Sequence, residues 1–178
     1  QPDVRAGVEA LLDQIEADGE AAVRKLAREM DKWDGPILVS ADDLAAAIAR
    51  VPETLKDDIR FAHANIQRFA QAQRGTISDC EIEVIPGLLA GQKQIPVETA
   101  GCYVPGGRYS HIASAIMTVT TAKEAGVGHI TACSPPRPGQ GIPPAILFAM
   151  DLCGADAILN LGGVEGVAAV ANGLVGLA

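Results

Sequence analysis

The stretch GCYVPGGRYSH, residues 101–111, decides the fold. A short apolar run ends at Val104, a glycine pair follows at Gly106 and Gly107, and a helical pattern begins near His111. This order predicts a strand, a tight turn and a helix, which is one unit of an α/β fold. Paired glycines let the backbone approach a ligand, and the N–H groups of a helix start favour an anion. The turn is therefore a candidate ligand site.

The same order occurs twice more downstream. The pattern predicts strands at 100–104, 128–133 and 156–161, and helices at 111–125, 142–153 and 164 to about 175. Alternation with helices of this length indicates βαβ units, and hence a parallel sheet with right-handed crossovers. We expect an α/β protein whose second half is an incomplete Rossmann-like parallel βαβ sheet.

The first third of the chain is amphipathic and helical in pattern. Ser40 starts a short helix as its N-cap, and a longer helix runs from Pro52 to about Gly75. Alternating apolar residues around Pro86-Gly87 predict an antiparallel hairpin. The expected regions are a helical segment (1–75), a hairpin connection (76–99) and a Rossmann-like nucleotide-binding domain truncated at its C-terminal end (100–178). Gln1 and the apolar residues 174–178 suggest an internal fragment of a longer enzyme.

Composition narrows the classes of partner. The net charge of −8, from 22 acidic and 14 basic residues, repels phosphate backbones, so we expect neither nucleic-acid nor membrane-surface binding. No apolar run approaches the roughly 18 residues that a membrane span needs. The four cysteines are far apart in sequence and form no CxxC, which favours reduced thiols and a cytoplasmic protein.

Few residues in the chain carry catalytic chemistry. Two strand-to-helix turns hold glycine pairs, Gly106-Gly107 and Gly162-Gly163, at the sheet edge where open α/β folds bind ligands. Neither matches G-x-G-x-x-G, so a purely structural turn is the alternative for each. Tyr103 is either a cofactor contact or a core tyrosine with its hydroxyl at the rim. No His, Cys, Asp or Glu pattern predicts a metal site.

A set of motifs in order resembles the histidinol dehydrogenase family. The motifs are Gly101-Cys102-Tyr103-Val104-Pro105-Gly106-Gly107, Thr121-Ala122-Lys123-Glu124-Ala125-Gly126-Val127, Ser134-Pro135-Pro136, Leu152-Cys153-Gly154-Ala155-Asp156 and Leu161-Gly162-Gly163-Val164-Glu165-Gly166-Val167-Ala168-Ala169. The N-terminal helices fit the opening segment of that family, so the resemblance covers nearly the whole chain.

The resemblance implies an NAD-dependent and zinc-dependent enzyme. Such enzymes oxidise a primary alcohol through an aldehyde to a carboxylate, and their zinc ligands and catalytic Glu/His pair would lie beyond Ala178. Tyr103 matches a family tyrosine that contacts NAD, beside the turn of Gly106 and Gly107. Glu165 stands where the family usually has a cofactor-contacting Gln, and a carboxylate there accepts from a ribose hydroxyl and disfavours NADP. We expect a homodimer.

The sequence departs from histidinol enzymes directly after the first glycine pair. Arg108-Tyr109-Ser110-His111 is more like the branch that oxidises sulfonated diols such as 2,3-dihydroxypropane-1-sulfonate. Arg108 and His111 are candidate ligands for an anionic substrate, and contact with the NAD pyrophosphate is the competing interpretation. A solvated Arg and a capping His are the structural alternative. The substrate, histidinol or a sulfonated diol, stays open. A non-catalytic nucleotide-binding module is the alternative function.

Overall fold

The computed structural model describes residues 2–107 and 109–175. Seven helices and five strands occur in this part of the chain. The helices are α1 (Pro2–Asp18), α2 (Glu20–Glu29), α3 (Ala41–Ala49), α4 (Glu53–Arg74), α5 (Ile112–Glu124), α6 (Pro144–Cys153) and α7 (Gly163–Ala171). The strands are β1 (Cys80–Ile85), β2 (Leu88–Gln92), β3 (Thr99–Tyr103), β4 (His129–Ser134) and β5 (Ala157–Asn160).

The predicted α/β fold class is confirmed. Strands β3, β4 and β5 form a parallel sheet in that order, and β1 pairs with β2 in a separate antiparallel hairpin. Tyr103 is paired with Cys133 across the first two strands, and Cys133 with Leu159 across the next two. This register brings the carboxyl ends of all three parallel strands to one edge.

Helices cover both faces of the parallel sheet. Cys102, Ile130 and Ile158 point to the face packed by α3, α4, α5 and α6. The intervening residues Cys133 and Leu159 point to the opposite face, which packs against α1, α2 and α7. Alternate side chains of each strand thus enter two different cores, as expected for a sheet buried on both sides.

Helix ends differ from the sequence prediction by a few residues. Helix α7 ends at Ala171 rather than near residue 175, because Asn172 is its C-cap and Gly173 has a φ of +62°. Helix α6 begins at Pro144 because Pro143 occupies the N-cap with extended backbone. The predicted cap of α3 is confirmed, since the Ser40 hydroxyl oxygen accepts from the Asp43 N–H at 3.1 Å.

One pairing lies outside the sequence prediction. The segment 37–39, between α2 and α3, runs antiparallel along the outer edge of β5. The Val39 N–H donates to the Ile158 carbonyl at 2.9 Å, and the Asn160 N–H donates to the Ile37 carbonyl at 2.7 Å. These bonds satisfy backbone groups at an edge strand, which otherwise invites pairing with another chain.

Helices long and apolar enough to cross a membrane are absent from the described residues.

Candidate functional site

The candidate site lies at the carboxyl edge of the parallel sheet. Each parallel strand ends there and runs into a turn, after Tyr103, Ser134 and Asn160 respectively. Open α/β sheets bind ligands outside this edge because loop residues and helix N-termini converge on it.

The two glycine pairs, Gly106-Gly107 and Gly162-Gly163, meet at this edge and are called the glycine rim below. Pro135, which follows β4, separates them. A Cβ on Gly106 would lie 2.8 Å from Pro135 Cγ, and a Cβ on Gly162 would lie 2.7 Å from the same atom. Side chains at either position would collide with the proline ring, so glycine is what lets the two turns close around it.

Space and backbone conformation differ along the glycine rim. Gly107 has a φ of +130°, and a Cβ there would meet nothing within 4 Å. Gly163, with a φ of +49°, begins α7. A positive φ favours glycine at both positions. The space at Gly107 lies beside the start of α5, and Gly163 opens α7 on the other side of Pro135.

Tyr103 links the glycine rim to the core below it. Its ring is half-buried and packs with the core beneath α7. Burial raises the pKa of the Tyr103 hydroxyl, while the backbone N–H of Gly163, which interacts with that hydroxyl, opposes the rise. Nearby carboxyl groups of Asp31 and Glu165 raise the pKa further. The hydroxyl is therefore protonated at neutral pH and placed at the start of α7.

Glu165 lies beneath the glycine rim and is fully buried, with 0% of its surface exposed. Its Oε2 lies 2.9 Å from the position of a Cβ on Gly163. Neither carboxyl oxygen of Glu165 accepts a hydrogen bond from a donor among residues 2–107 and 109–175. Burial raises the pKa of Glu165, and the neighbouring Asp31 carboxylate raises it further.

Asp31 reaches the glycine rim from the end of α2. Its Oδ2 accepts a hydrogen bond from the Gly162 N–H at 2.7 Å. Burial raises the pKa of Asp31, while the Gly162 N–H and the neighbouring Glu165 carboxyl group act in the opposite direction. Sequence reasoning missed Asp31, because an acidic residue after a helix looks solvated and its partner is 131 residues away. Pro135 was visible only as part of the motif Ser134-Pro135-Pro136.

Arg108 and His111 were the predicted substrate ligands. Arg108 lies outside the described residues. His111 is exposed and occupies the N-cap of α5, where its side chain makes no capping hydrogen bond. Its backbone carbonyl accepts from Ser114 and Ala115 at 3.1 and 3.3 Å. His111 therefore begins the helix that follows the Gly106-Gly107 turn.

The buried cysteines lie under the site rather than in it. Burial raises the pKa of Cys133 to about 12, so its thiol stays protonated at neutral pH. Burial likewise raises the pKa of Cys102. Thiolates are the nucleophilic and metal-binding form, so both residues are packing groups here. No group of three or more His, Cys, Asp or Glu that could hold a metal occurs in the described part of the chain.

A cavity of about 530 Å³ extends from Tyr103 along β3, β4 and α7. Its walls include Thr99, Gly101 and Val170. Gly101 lets α7 approach closely, because a Cβ there would collide with the Val170 side chain. The cavity runs along the face of the sheet from Tyr103 to Thr99 and His129, at the first residues of β3 and β4.

Comparisons with known proteins agree over nearly the whole chain. The sequence model described as "Histidinol dehydrogenase" matches residues 1–177. The chain is 59% identical over 175 residues to the sulfopropanediol 3-dehydrogenase of Ruegeria pomeroyi, covering 98% of this chain and 40% of that protein. It is 35% identical over 172 residues to the histidinol dehydrogenase of Methanosarcina barkeri, covering 96% of this chain and 40% of that protein.

A solved structure gives the same result. The crystal structure of histidinol dehydrogenase from Elizabethkingia anophelis superimposes with a TM-score of 0.87 at 29% identity, covering 96% of this chain and 39% of that one. The chain thus spans about 40% of the length of these relatives. The match of the family over residues 1–177, with the fold it shares, shows that the chain belongs to the histidinol dehydrogenase family.

Proposed function

We propose that this chain is the cofactor-binding part of an NAD-dependent and zinc-dependent dehydrogenase that oxidises a sulfonated diol, of the 2,3-dihydroxypropane-1-sulfonate type, to a carboxylate. The longer protein that would carry these residues is called the parent enzyme below. One observation carries the choice of substrate. Identity to a sulfopropanediol 3-dehydrogenase is 59%, against 35% to a histidinol dehydrogenase.

The glycine rim is the proposed contact for the NAD pyrophosphate. Gly107 faces open space, Gly163 starts α7, and the two glycine pairs close around Pro135, so backbone can approach a phosphate there. Helix α5 covers one face of the sheet and α7 the other, which is the arrangement around a ligand crevice in doubly wound folds. When bound, NAD would accept hydride from the substrate.

Tyr103 and Glu165 have distinct proposed roles at this site. The Tyr103 hydroxyl, protonated and beside Gly163, is placed to orient the cofactor at the start of α7. Glu165 is fully buried, so contact with a ribose hydroxyl would need its side chain to rotate outward. A carboxylate there would disfavour the 2′-phosphate of NADP by like-charge repulsion.

Substrate selection is proposed for Arg108 and His111. A sulfonate is ionised at any physiological pH, and a guanidinium offers it a planar set of donors. Arg108 precedes α5 by only a few residues, and the N-terminus of that helix also favours negative charge. The cationic amine of histidinol would be repelled by Arg108 at the same place.

The described residues do not supply a zinc site, because they include no cluster of metal ligands. We propose that its ligands and the catalytic Glu/His pair belong to other sequence of the parent enzyme. Residues 1–178 alone should then bind no stoichiometric zinc and produce no NADH. We further propose that the parent enzyme is a cytoplasmic homodimer, in line with four cysteines that are all free thiols.

Steady-state kinetics of the parent enzyme test the proposal. NADH absorbance would be followed with histidinol and with the sulfonated diol, for the wild type, Arg108→Ala and the control Arg5→Ala. Arg5 is a matched exposed arginine on α1 that pairs with Glu9. Selective loss of sulfonate turnover in Arg108→Ala supports the substrate role. Equal loss for both substrates with a raised NAD KM assigns Arg108 to the cofactor, and turnover of histidinol alone by the wild type refutes the proposed substrate.

A further inference from the structure

The carboxyl groups of Asp31 and Glu165 lie against the two adjacent glycines of one turn. Asp31 Oδ1 is 2.9 Å from the position of a Cβ on Gly162, and Glu165 Oε2 is 2.9 Å from that of a Cβ on Gly163. The two side chains also interact directly with each other. Two carboxyl groups that interact, one half-buried and the other fully buried, cannot both be ionised at low cost.

The hydrogen bonds of the pair indicate where its proton lies. Asp31 accepts from the Gly162 N–H, as an ionised carboxylate does. Glu165 is completely buried and lacks a full hydrogen bond from any donor that the structure describes. Buried polar groups normally have a hydrogen-bond partner. A protonated Glu165 would gain one, because its carboxyl O–H could donate to the Asp31 carboxylate.

Among residues 2–107 and 109–175, no cationic side chain acts on Glu165 to compensate a second ionised group. In this part of the chain Tyr103 and Cys133 also interact with Glu165, and both are neutral at pH 7. Lys32, next to Asp31, directs its ammonium to the Glu29 carbonyl at 2.6 Å. The side chains that α1 contributes to this core are apolar: Ile15 is buried and Leu11 is partly buried.

The backbone around Asp31 is held in an unusual conformation. Lys32 has a φ of +54°, a left-handed conformation that is unfavourable for a residue with a Cβ. The Trp33 N–H donates back to the Ala27 carbonyl at 3.0 Å, which fixes the end of α2. Backbone strain at Lys32 therefore accompanies the conformation in which Asp31 contacts Gly162.

We propose that Asp31 and Glu165 share one proton, with Glu165 as the donor and Asp31 as the acceptor. Asp31 also accepts from the Gly162 N–H, and it is thereby a positioning residue for the Gly162-Gly163 turn of the cofactor site. The effect of this pair on NAD binding rests on the proposed function. The pair itself does not, because it rests on the contacts of the two carboxyl groups with Gly162 and Gly163.

Amide hydrogen exchange of the cofactor-free parent enzyme tests the positioning role. Asp31→Ala should raise the exchange rate of the Gly162 amide about tenfold or more, as expected for loss of a charged acceptor. Asp31→Asn, which keeps an acceptor and adds a donor toward Glu165, should restore most of the protection. Asp34→Asn is the control, since that carboxylate lies three residues on and is 84% exposed. Unchanged exchange at Gly162 in a folded Asp31→Ala protein would overturn the proposal.

Infrared spectroscopy tests the shared proton even where Asp31→Ala fails to fold. The wild type should show the carbonyl stretch of a protonated carboxylic acid at pH 7, and Glu165→Gln should lose it while Asp34→Asn keeps it. Absence of that band in the wild type overturns the shared proton. In NAD kinetics, Asp31→Ala should raise the NAD KM more than it lowers kcat. If the wild type uses no NAD, the proposed function fails, and the exchange and infrared results still decide the inference.

Discussion

Replacing Gly162 with alanine tests whether the glycine rim depends on close packing. Gly162 has φ −112° and ψ −168°, an extended conformation open to any residue, so the substitution adds no backbone strain. The new Cβ would lie 2.7 Å from Pro135 Cγ and 2.9 Å from Asp31 Oδ1. Pro135 cannot retreat freely, because the position of a Cβ on Gly106 is 2.8 Å from it on the other side. Overpacking of this kind costs about 1–3 kcal/mol.

Urea unfolding of the chain measures this cost, with two glycine variants for comparison. Gly7 lies in α1, and a Cβ there meets nothing within 4 Å. Gly7→Ala should therefore stabilise the chain by about 0.5–1 kcal/mol, since alanine loses less backbone entropy in a helix. Gly107→Ala also has space, but its φ of +130° makes the change unfavourable by roughly 1–3 kcal/mol. The same substitution is thus expected to have opposite signs at Gly7 and Gly162.

NAD affinity separates packing from cofactor binding. Titration of the parent enzyme with NAD should show weaker binding for Gly162→Ala and unchanged binding for Gly7→Ala. A Gly162→Ala chain as stable as the wild type, with unaltered NAD affinity, would refute the packing argument. Loss of stability without loss of NAD affinity would mean that the glycine rim is a structural turn with no role in binding.

Three further outcomes are expected. Tyr103→Phe should weaken NAD binding roughly 2- to 13-fold in a calorimetric titration, the range for one lost hydrogen bond of about 0.5–1.5 kcal/mol, and unchanged affinity would contradict the role of its hydroxyl. A thiol reagent at pH 8 should label exposed Cys80 in the native chain and spare Cys133, whose pKa is about 12, so fast labelling of both would argue against this core. Because the folded pKa of Glu165 is raised, its contribution to stability is complete below about pH 4.5 and is lost as pH rises through the raised pKa. In urea unfolding measured from pH 4 to 8, Glu165→Gln should abolish this fall in the free energy of unfolding. Identical pH profiles for wild type and variant would contradict a raised pKa of Glu165.

The sheet and its turns could be predicted because their signals are local. Apolar runs of strand length, helices of about ten residues and glycine pairs between them specify βαβ units without knowledge of distant contacts. Ser40 predicted a cap for the same reason, since its partner Asp43 is three residues away. Helix ends were less accurate, because the end of α7 depends on the conformation of Asn172 and Gly173.

The chemistry beneath the glycine rim could not be predicted in this way. Glu165 stands in the first turn of α7, where a carboxylate is favourable on a solvated helix start. Its burial depends on α1 and α2, which cover that face of the sheet. Asp31 meets Gly162 through the tertiary fold alone, because 131 residues separate them in sequence. Neither residue carries a motif that signals such a contact.

The N-terminal segment therefore does more than pack, because it fixes the carboxyl end of β5. Asp31 binds the Gly162 N–H, and the amide of Asn160 donates to the Pro36 carbonyl at 3.1 Å while accepting from Ile142 at 3.2 Å. Strand β5 and the turn after it are thus held by contacts with Asp31, Pro36 and Ile142. A turn that these contacts already order loses less conformational entropy when a ligand binds, and the smaller loss increases the affinity. Helices α1 and α2, which carry no catalytic group, are for this reason expected to affect NAD binding through the glycine rim.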